Sequence, residues 1–431
     1  MRSAVAHRKT SGTAVPDPAI LVRVSHSISL ADYRAVLRTP RATAPVLMSL
    51  LGRLPIAMIG LALLLYVQRT TGSFAAAGLV SAGELVGVAC GSVVQSRVID
   101  RVGPSRPLVL MSAVLAVLVC AEIAAIELGA PVAVLVALAV GLGLGQPMVA
   151  PASRALWSQL LPAGRVRDAA YSYEAISMEV FFLLGPGLAG LLVALPWPGT
   201  GLVIAAGCMA VGSLGFAGTS AARSMRPQGR RPGSLLGPLV SPGMRTVALA
   251  ALSFGVLIGF VEVAVPAAAE RAGHPSAGGL LLSVLSVSSV LVGVLYGMRP
   301  WPRPMHLRLP ALLLGFALLI ALLAVPSTLL GLCAALLLAG SLITPQSTAH
   351  SVALDLAAPE GTETEAFGWV VTAVTLGSAV GQSASGQLVE LSGPPASFLA
   401  AAAAGLGLAV LLWLRRSTLA PAPVQRTPAL V

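Results

Sequence analysis

The sequence predicts an all-α, polytopic membrane protein with twelve transmembrane helices in two six-helix halves. Three observations carry that prediction. Only 10% of the 431 residues are charged, 56% are hydrophobic and the mean hydropathy is +0.89. An ordinary soluble domain is about 25% charged, so this chain lacks the polar residues to cover a large water-facing surface. Its apolar runs continue for about twenty residues, the length a helix needs to cross the hydrocarbon and about twice that of an alternating barrel strand. The basic residues fall in alternate segments between those runs, as the positive-inside rule requires. A soluble enzyme, a disordered chain, a coiled coil and a membrane barrel are thereby excluded.

The spans, in chain order, are 44–67, 74–96, 107–128, 131–153, 169–194, 199–221, 244–268, 276–298, 307–325, 328–350, 365–389 and 394–414. Turn residues separate them: Thr-Gly-Ser at 71–73, Gly-Ala-Pro at 129–131, Pro-Trp-Pro-Gly at 196–199, Val-Pro-Ser at 325–327 and Ser-Gly-Pro-Pro at 392–395. With both termini inside, the inner segments hold 7, 3, 3, 5, 3 and 3 of the 27 basic residues, 24 in all. Arg69 and Arg271 lie outside, and Arg53 lies within span 1. Shifting the count by one span would spoil this division. It also accounts for the net charge of +11 by topology, so no nucleic-acid partner is expected. The inner loop before span 11 is the exception, carrying Asp355, Glu360, Glu363 and Glu365 in place of arginine.

The organisation follows. Residues 1–43 form a basic cytoplasmic tail whose last part, from about Asp32, is expected to form a short helix at the headgroups. The first long apolar run starts too late for a cleavable signal, so span 1 is expected to serve as an uncleaved anchor. The N-terminal bundle runs over 44–221, a linker rich in Arg, Pro and Gly over 222–243, the C-terminal bundle over 244–415 and a Pro-rich tail over 416–431. A faint repeat relates the halves. Ala170-Tyr171-Ser172-Tyr173 opens span 5, with Gly185 and Gly190 further on, and Ala366-Phe367-Gly368-Trp369 opens span 11, with Gly381 and Gly386 at the same offsets, 381 − 185 = 196 residues later. Cys90, Cys120, Cys208 and Cys333 lie within apolar runs at no metal-binding or disulfide spacing and read as small buried hydrophobes.

Two motifs carry a family resemblance. The loop between spans 2 and 3 reads Ser96-Arg97-Val98-Ile99-Asp100-Arg101-Val102-Gly103-Pro104-Ser105-Arg106. It resembles the loop signature of the major facilitator superfamily, G-x-L-x-D-R-x-G-R-R: Asp100, Arg101 and Gly103 match, Ser96 replaces the first Gly, and Arg106 is slightly displaced. In span 5, Gly185-Pro186-Gly187-Leu188-Ala189-Gly190 is similar to the family's antiporter signature, G-x-x-x-G-P-x-x-G-G. Gly185, Pro186 and Gly190 match, and Phe181 and Ala189 depart. The resemblance implies a transporter with a central cavity lined by spans 1, 4, 7 and 10, and the antiporter signature favours export over import. One feature opposes proton coupling by the residue usual in that family: span 4, Pro131 to Ser153, contains no arginine, and Arg154 follows it.

Ionisable residues inside a span are expensive and mark functional candidates. Arg53 lies nine residues into span 1, Glu84 ten residues into span 2, and Glu179 ten residues into span 5, all near mid-bilayer. Arg53 is expected to pair with Glu84 or Glu179, either facing substrate or as a structural ion pair. Glu174 is expected to pair with Arg154, and Glu122, close enough to the outer headgroups to snorkel partly, is expected to serve packing. Glu179, Glu84 and Glu262 are the candidates for substrate or proton coupling. No ATP-binding loop, no His-Glu-x-x-His helix and no channel-type filter repeat is present.

The reading is a monomeric multi-pass transporter of the cell membrane, not an enzyme. It is expected to need no cofactor or metal, and to export a small organic molecule with protons as the coupling ion. An importer, or a receptor of the same shape, is the alternative. Glu363 or Glu365 is expected to latch onto Arg101 or Arg106 when the inner side closes. Charge reversal at Arg101 should therefore weaken transport, and reversal at its acidic partner should partly restore it. Two single reversals without effect would remove the latch.

Overall fold

The computed structural model describes residues 30–162, 164–225, 237–297, 305–359 and 362–419. Residues 1–29 of the basic tail, half of the 222–243 linker and the end of the C-terminal tail lie outside the described residues.

Helix α1 (Leu30–Leu37) precedes the spans. It packs on the first half. Asp32 pairs with Arg165 at 3.1 Å, and Val36 is buried in one cluster with Trp157, Ala169 and Ala170. Span 1 is jointed: α2 (Thr43–Arg53) leads through a 3₁₀ turn at Leu54–Ala57 into α3 (Ile59–Thr71). Pro55 has no N–H to continue the α-helical ladder, which explains the joint. Then follow α4 (Phe74–Val102) and α5 (Ser105–Glu127). Span 4 is also in two pieces, α6 (Val132–Gly145) and α7 (Val149–Leu160), parted at Gln146-Pro147-Met148. The helix thus runs past the predicted end at 153, and Arg154 sits inside α7 instead of after it. The N-terminal half closes with α8 (Arg165–Val193), α9 (Thr200–Gly218) and the single turn α10 (Ser220–Arg223).

The second half comprises α11 (Pro242–Arg271), α12 (Ala277–Gly297) and α13 (Met305–Leu322), then a third jointed span, α14 (Leu329–Gly340) and α15 (Ile343–Ala357), and finally α16 (Glu363–Ser392) and α17 (Pro394–Leu414). Among the described residues, nine helical segments are long and apolar enough to cross a membrane, and the apolar stretches of α12 and α13 are shorter. The helix α16 is long but less apolar, because it packs between α11 and α4. Together they occupy the twelve predicted spans.

Inside each half, glycines bring backbones into contact. A Cβ on Gly259 would lie 2.9 Å from the Gln382 nitrogen, and one on Gly87 2.9 Å from the Leu144 nitrogen. The two halves meet along two seams, α4 with α16 and α8 with α12. A Cβ on Gly78 would fall 2.5 Å from the Gln382 carbonyl oxygen, and one on Gly190 2.9 Å from the Gly279 Cα. Ser286 Oγ donates to the Phe182 carbonyl at 3.1 Å.

These contacts lie at the end opposite the termini, here called the turn end. There Ser73 Oγ and the Ala75 N–H donate to Glu390 at 2.5 and 3.0 Å, and Gln68 donates to Glu270 at 2.8 Å. Toward the termini the halves part. Along one stripe of α16, Gly386, Gln382 and Ala379 are buried, Thr375 and Thr372 half-buried, and Val371 and Gly368 exposed. The result is a cleft closed at the turn end and open at the end bearing the termini.

The seams tolerate no bulk. Gly190→Leu should oppose closure by about 1–3 kcal/mol of overpacking, shifting the closed-to-open ratio at the turn end about 5- to 150-fold. Disulfide trapping across α8 and α12 would measure that shift.

Candidate functional site: a polar cleft between the halves

Arg53 ends α2 immediately before the 3₁₀ turn and is only 1% exposed. Its guanidinium pairs with Glu174 of α8, donates to Ser177 Oγ at 2.9 Å and lies 5.6 Å from the Phe181 ring centre. Its Nε donates to the Ser49 carbonyl at 3.3 Å. The other Glu174 oxygen accepts from Ser153 Oγ at 2.7 Å and Trp157 Nε1 at 2.9 Å, both on α7. A satisfied circuit therefore ties spans 1, 4 and 5 together, and Arg53 does not face the cleft.

This corrects the expected partners. Glu84 and Glu179 do not pair with Arg53, and Arg154 lies over the Tyr171 ring at 5.0 Å instead of meeting Glu174. The physical reason is depth. The helix α8 begins at Arg165, four residues before the predicted 169, so Glu174 lies nine residues in (174 − 165), as Arg53 does from the predicted start of span 1 (53 − 44).

Glu84 on α4 is 3% exposed and accepts from the Gln146 amide at the span 4 joint. Its Oε2 is buried without a partner among the described residues. The joint interrupts the backbone ladder, and Gln95 of α4 fills in. Its Nε2 donates to the carbonyls of Leu144 and Gln146, each at 2.8 Å, and its Oε1 accepts from the Met148 N–H at 3.2 Å. In the second half, Glu262 of α11 is half-buried and accepts from the Gln382 amide of α16 at 2.8 Å.

Glu179 is exposed. It shares a helical face with Pro186 and Gly190 (i, i+7, i+11), and that face packs on α12 nearer the turn end. Glu122 is buried in α5 with both carboxylate oxygens unpartnered among the described residues. His350 of α15 is buried 5.8 Å from the Phe254 ring centre, and Gln346 one turn before it is fully buried.

At the other motif, Gly103 closes α4 with φ 83°, a conformation that favours glycine. Arg101 and Arg106 are exposed, and no ion pair joins them to Glu365 among the described residues. The side chains of Asp100 and Glu363 lie outside the described residues. The motif of span 5 has a direct packing role: Gly185 lies against Ala57 in the span 1 joint, and Pro186 and Gly190 lie against Gly279. No metal-sized cluster of His, Cys, Asp or Glu occurs among the described residues. A shallow cleft at the turn end, lined by Gly72, Glu270, Arg271 and Glu390, is remote from these groups.

Sequence reasoning missed Gln95, Gln146, Gln382 and the Ser153–Trp157–Ser177 set. The signal was present: an amide inside an apolar span is also costly to bury and must find a partner.

Twelve spans in two halves, joined at one end, define a membrane protein of the secondary-transporter class. The profile of the Major Facilitator Superfamily matches residues 46–363, and the chain belongs to that family. No curated protein matches its sequence. Among solved structures it is similar to the nucleoside transporter NupG, with a TM-score of 0.70 at 12% identity over 88% of this chain and 100% of that one. It is similar to a peptide transporter POT, with a TM-score of 0.67 at 14% identity over 87% and 94%. It also resembles the human organic anion transporter MFSD10, with a TM-score of 0.56 at 17% identity over 88% and 99%. At these identities the likeness is one of fold.

Removing one partner of the buried pair should cost about 3–5 kcal/mol. Arg53→Ala and Glu174→Ala should each lower the thermal unfolding temperature in detergent, and the double change to Met and Leu should restore much of the loss.

Proposed function

We propose that this protein exports a small organic molecule across the cell membrane by alternating access, driven by protons, as a monomer without cofactor or metal. The halves are residues 44–221 and 244–415. The tail 1–43, the linker 222–243 and the tail 416–431 lie in the cytoplasm. In that orientation the open cleft faces the cytoplasm, ready to load an exported compound.

The observation that carries this reading is the span 5 stripe. Its antiporter-like residues Pro186 and Gly190 contact α12 of the other half, Gly185 packs on the span 1 joint, and Glu179 continues the face of Pro186 and Gly190 toward the open cleft. A carboxylate there is in reach of both solvent and cargo, and closing the cytoplasmic end would desolvate it and favour its protonated form. Arg101 and Arg106 would then meet Glu363 or Glu365 across the closing end. Neighbours named as transporters of peptides, nucleosides and organic anions suit a small organic cargo. An importer would run the same cycle in reverse, and the span 5 signature is what favours export.

A broad compound screen with vesicles of defined orientation tests this. A proton gradient should drive accumulation in inverted vesicles. Glu179→Gln should abolish the response to the gradient while leaving downhill movement. Accumulation only in right-side-out vesicles would reverse the direction assigned here.

A further inference from the structure

The corner that leads into span 1 carries three arginines that the rest of the fold does not engage. It consists of α1 and the turn after it, residues 30–42, and Asp32 is the one acid in that stretch. Asp32 pairs with Arg165 of α8. Val36 and Ala42, each 1% exposed, anchor the corner in one cluster with Trp157, Leu161 and Ala169. Arg34, Arg38 and Arg41 are exposed, and among the described residues no hydrogen bond or ion pair engages their side chains.

The backbone fixes where these arginines stand. The Arg38 N–H donates to the Arg34 carbonyl at 3.0 Å, so the two are stacked one helical turn apart, on the side of α1 turned away from Val36. The Ala42 N–H donates to the Thr39 carbonyl at 3.1 Å, closing a turn with Pro40 second and Arg41 third. Arg41 has φ 67° and is the one non-glycine residue with a positive φ among the described residues. The third position of a turn opened by proline is ordinarily glycine, which takes that conformation without a clash at Cβ. An arginine there is strained, and no side-chain bond among the described residues offsets the strain. Its exposed charge therefore points outside the chain. Arg41 stands two residues before α2, so all three guanidinium groups lie at the membrane edge where span 1 begins. With Asp32 balanced by Arg165, the corner is left with three positive charges (3 + 1 − 1 = 3). Arginine forks match the paired oxygens of a phosphodiester, and such a cluster beside a span attracts anionic lipid over zwitterionic lipid.

We propose that α1 and its corner bind the phosphate headgroup of an anionic phospholipid through Arg34, Arg38 and Arg41. The inner face of the same corner lies in a cluster with Trp157, whose indole donates to Glu174, the partner of Arg53. A headgroup held on the outer face therefore steadies the circuit that ties spans 1, 4 and 5. The inference depends on neither the cargo, the direction nor the coupling ion proposed above.

The full chain in neutral detergent tests this, titrated with phosphatidylglycerol, phosphatidylcholine or glycerol phosphate. Bound lipid is counted by native mass spectrometry, and thermal unfolding is followed in parallel. Phosphatidylglycerol should bind about 10- to 100-fold more tightly than phosphatidylcholine and raise the unfolding temperature. Glycerol phosphate, the headgroup without its chains, should do neither. Arg34→Gln, Arg38→Gln and Arg41→Gln combined should abolish the preference. Arg41→Gly separates binding from folding. It relieves the strained turn, so the unfolding temperature without lipid should hold or rise, while affinity for phosphatidylglycerol falls about fivefold. A drop in that lipid-free temperature, with affinity unchanged, would make Arg41 structural and overturn its role. An equal loss of preference in a control combining Arg97→Gln, Arg106→Gln and Arg223→Gln, three exposed arginines elsewhere, would replace the site by a general attraction. Glycerol phosphate binding as tightly as the lipid would overturn the assignment in favour of a free phosphate compound. Failed export in the vesicle assay would leave these readouts intact.

Discussion

A polar group inside the hydrocarbon has no water to bond, so it must be satisfied by another part of the protein. That constraint organises this structure. Arg53 and Glu174 bind spans 1, 4 and 5, Gln95 and Glu84 bind span 2 to the span 4 joint, and Gln382 binds Glu262. Ser378 and Ser385 of α16 donate to the Gly255 and Phe260 carbonyls of α11 at 3.2 and 3.0 Å. All of these bonds run within a half. Between halves, the seams are built from glycine contacts and a few side-chain bonds near the turn end. The buried polar bonds thus tie the spans of each half to one another and leave the boundary between the halves to close backbone packing.

The fold was legible because hydrocarbon imposes a length and arginine placement imposes a side. Span positions followed from apolar runs, and the halves from the central linker. Joints were harder. Pro55 and Pro147 were visible, but an apolar run continues across each, so hydropathy alone reads one helix where there are two pieces. The same limit misplaced the site. Depth counted from the start of an apolar run at 169 leaves Glu174 only five residues in (174 − 169), because the first turn of α8 carries Arg165 and Arg167 and reads as loop. Once the helix start is known, Arg53 and Glu174 fall at matching depth.

The weak internal repeat has a physical meaning. Gly185 packs on span 1 and Gly381 on span 7, whereas Gly190 reaches span 8 and Gly386 reaches span 2. Residues 196 apart (386 − 190) thus do equivalent work: the first of each pair consolidates its own half, and the second touches the opposite half. Small residues at these places reflect backbone proximity.

Spans 1, 4 and 10 are each in two pieces, and the first two joints sit beside the polar groups of the first half. A rod made of one continuous helix transmits any tilt along its whole length. An articulated one can swing its lower segment while the upper stays docked, as a knee bends under a fixed thigh. Gating at one mouth of this protein can therefore begin as local flexion of a few segments before either bundle moves as a whole.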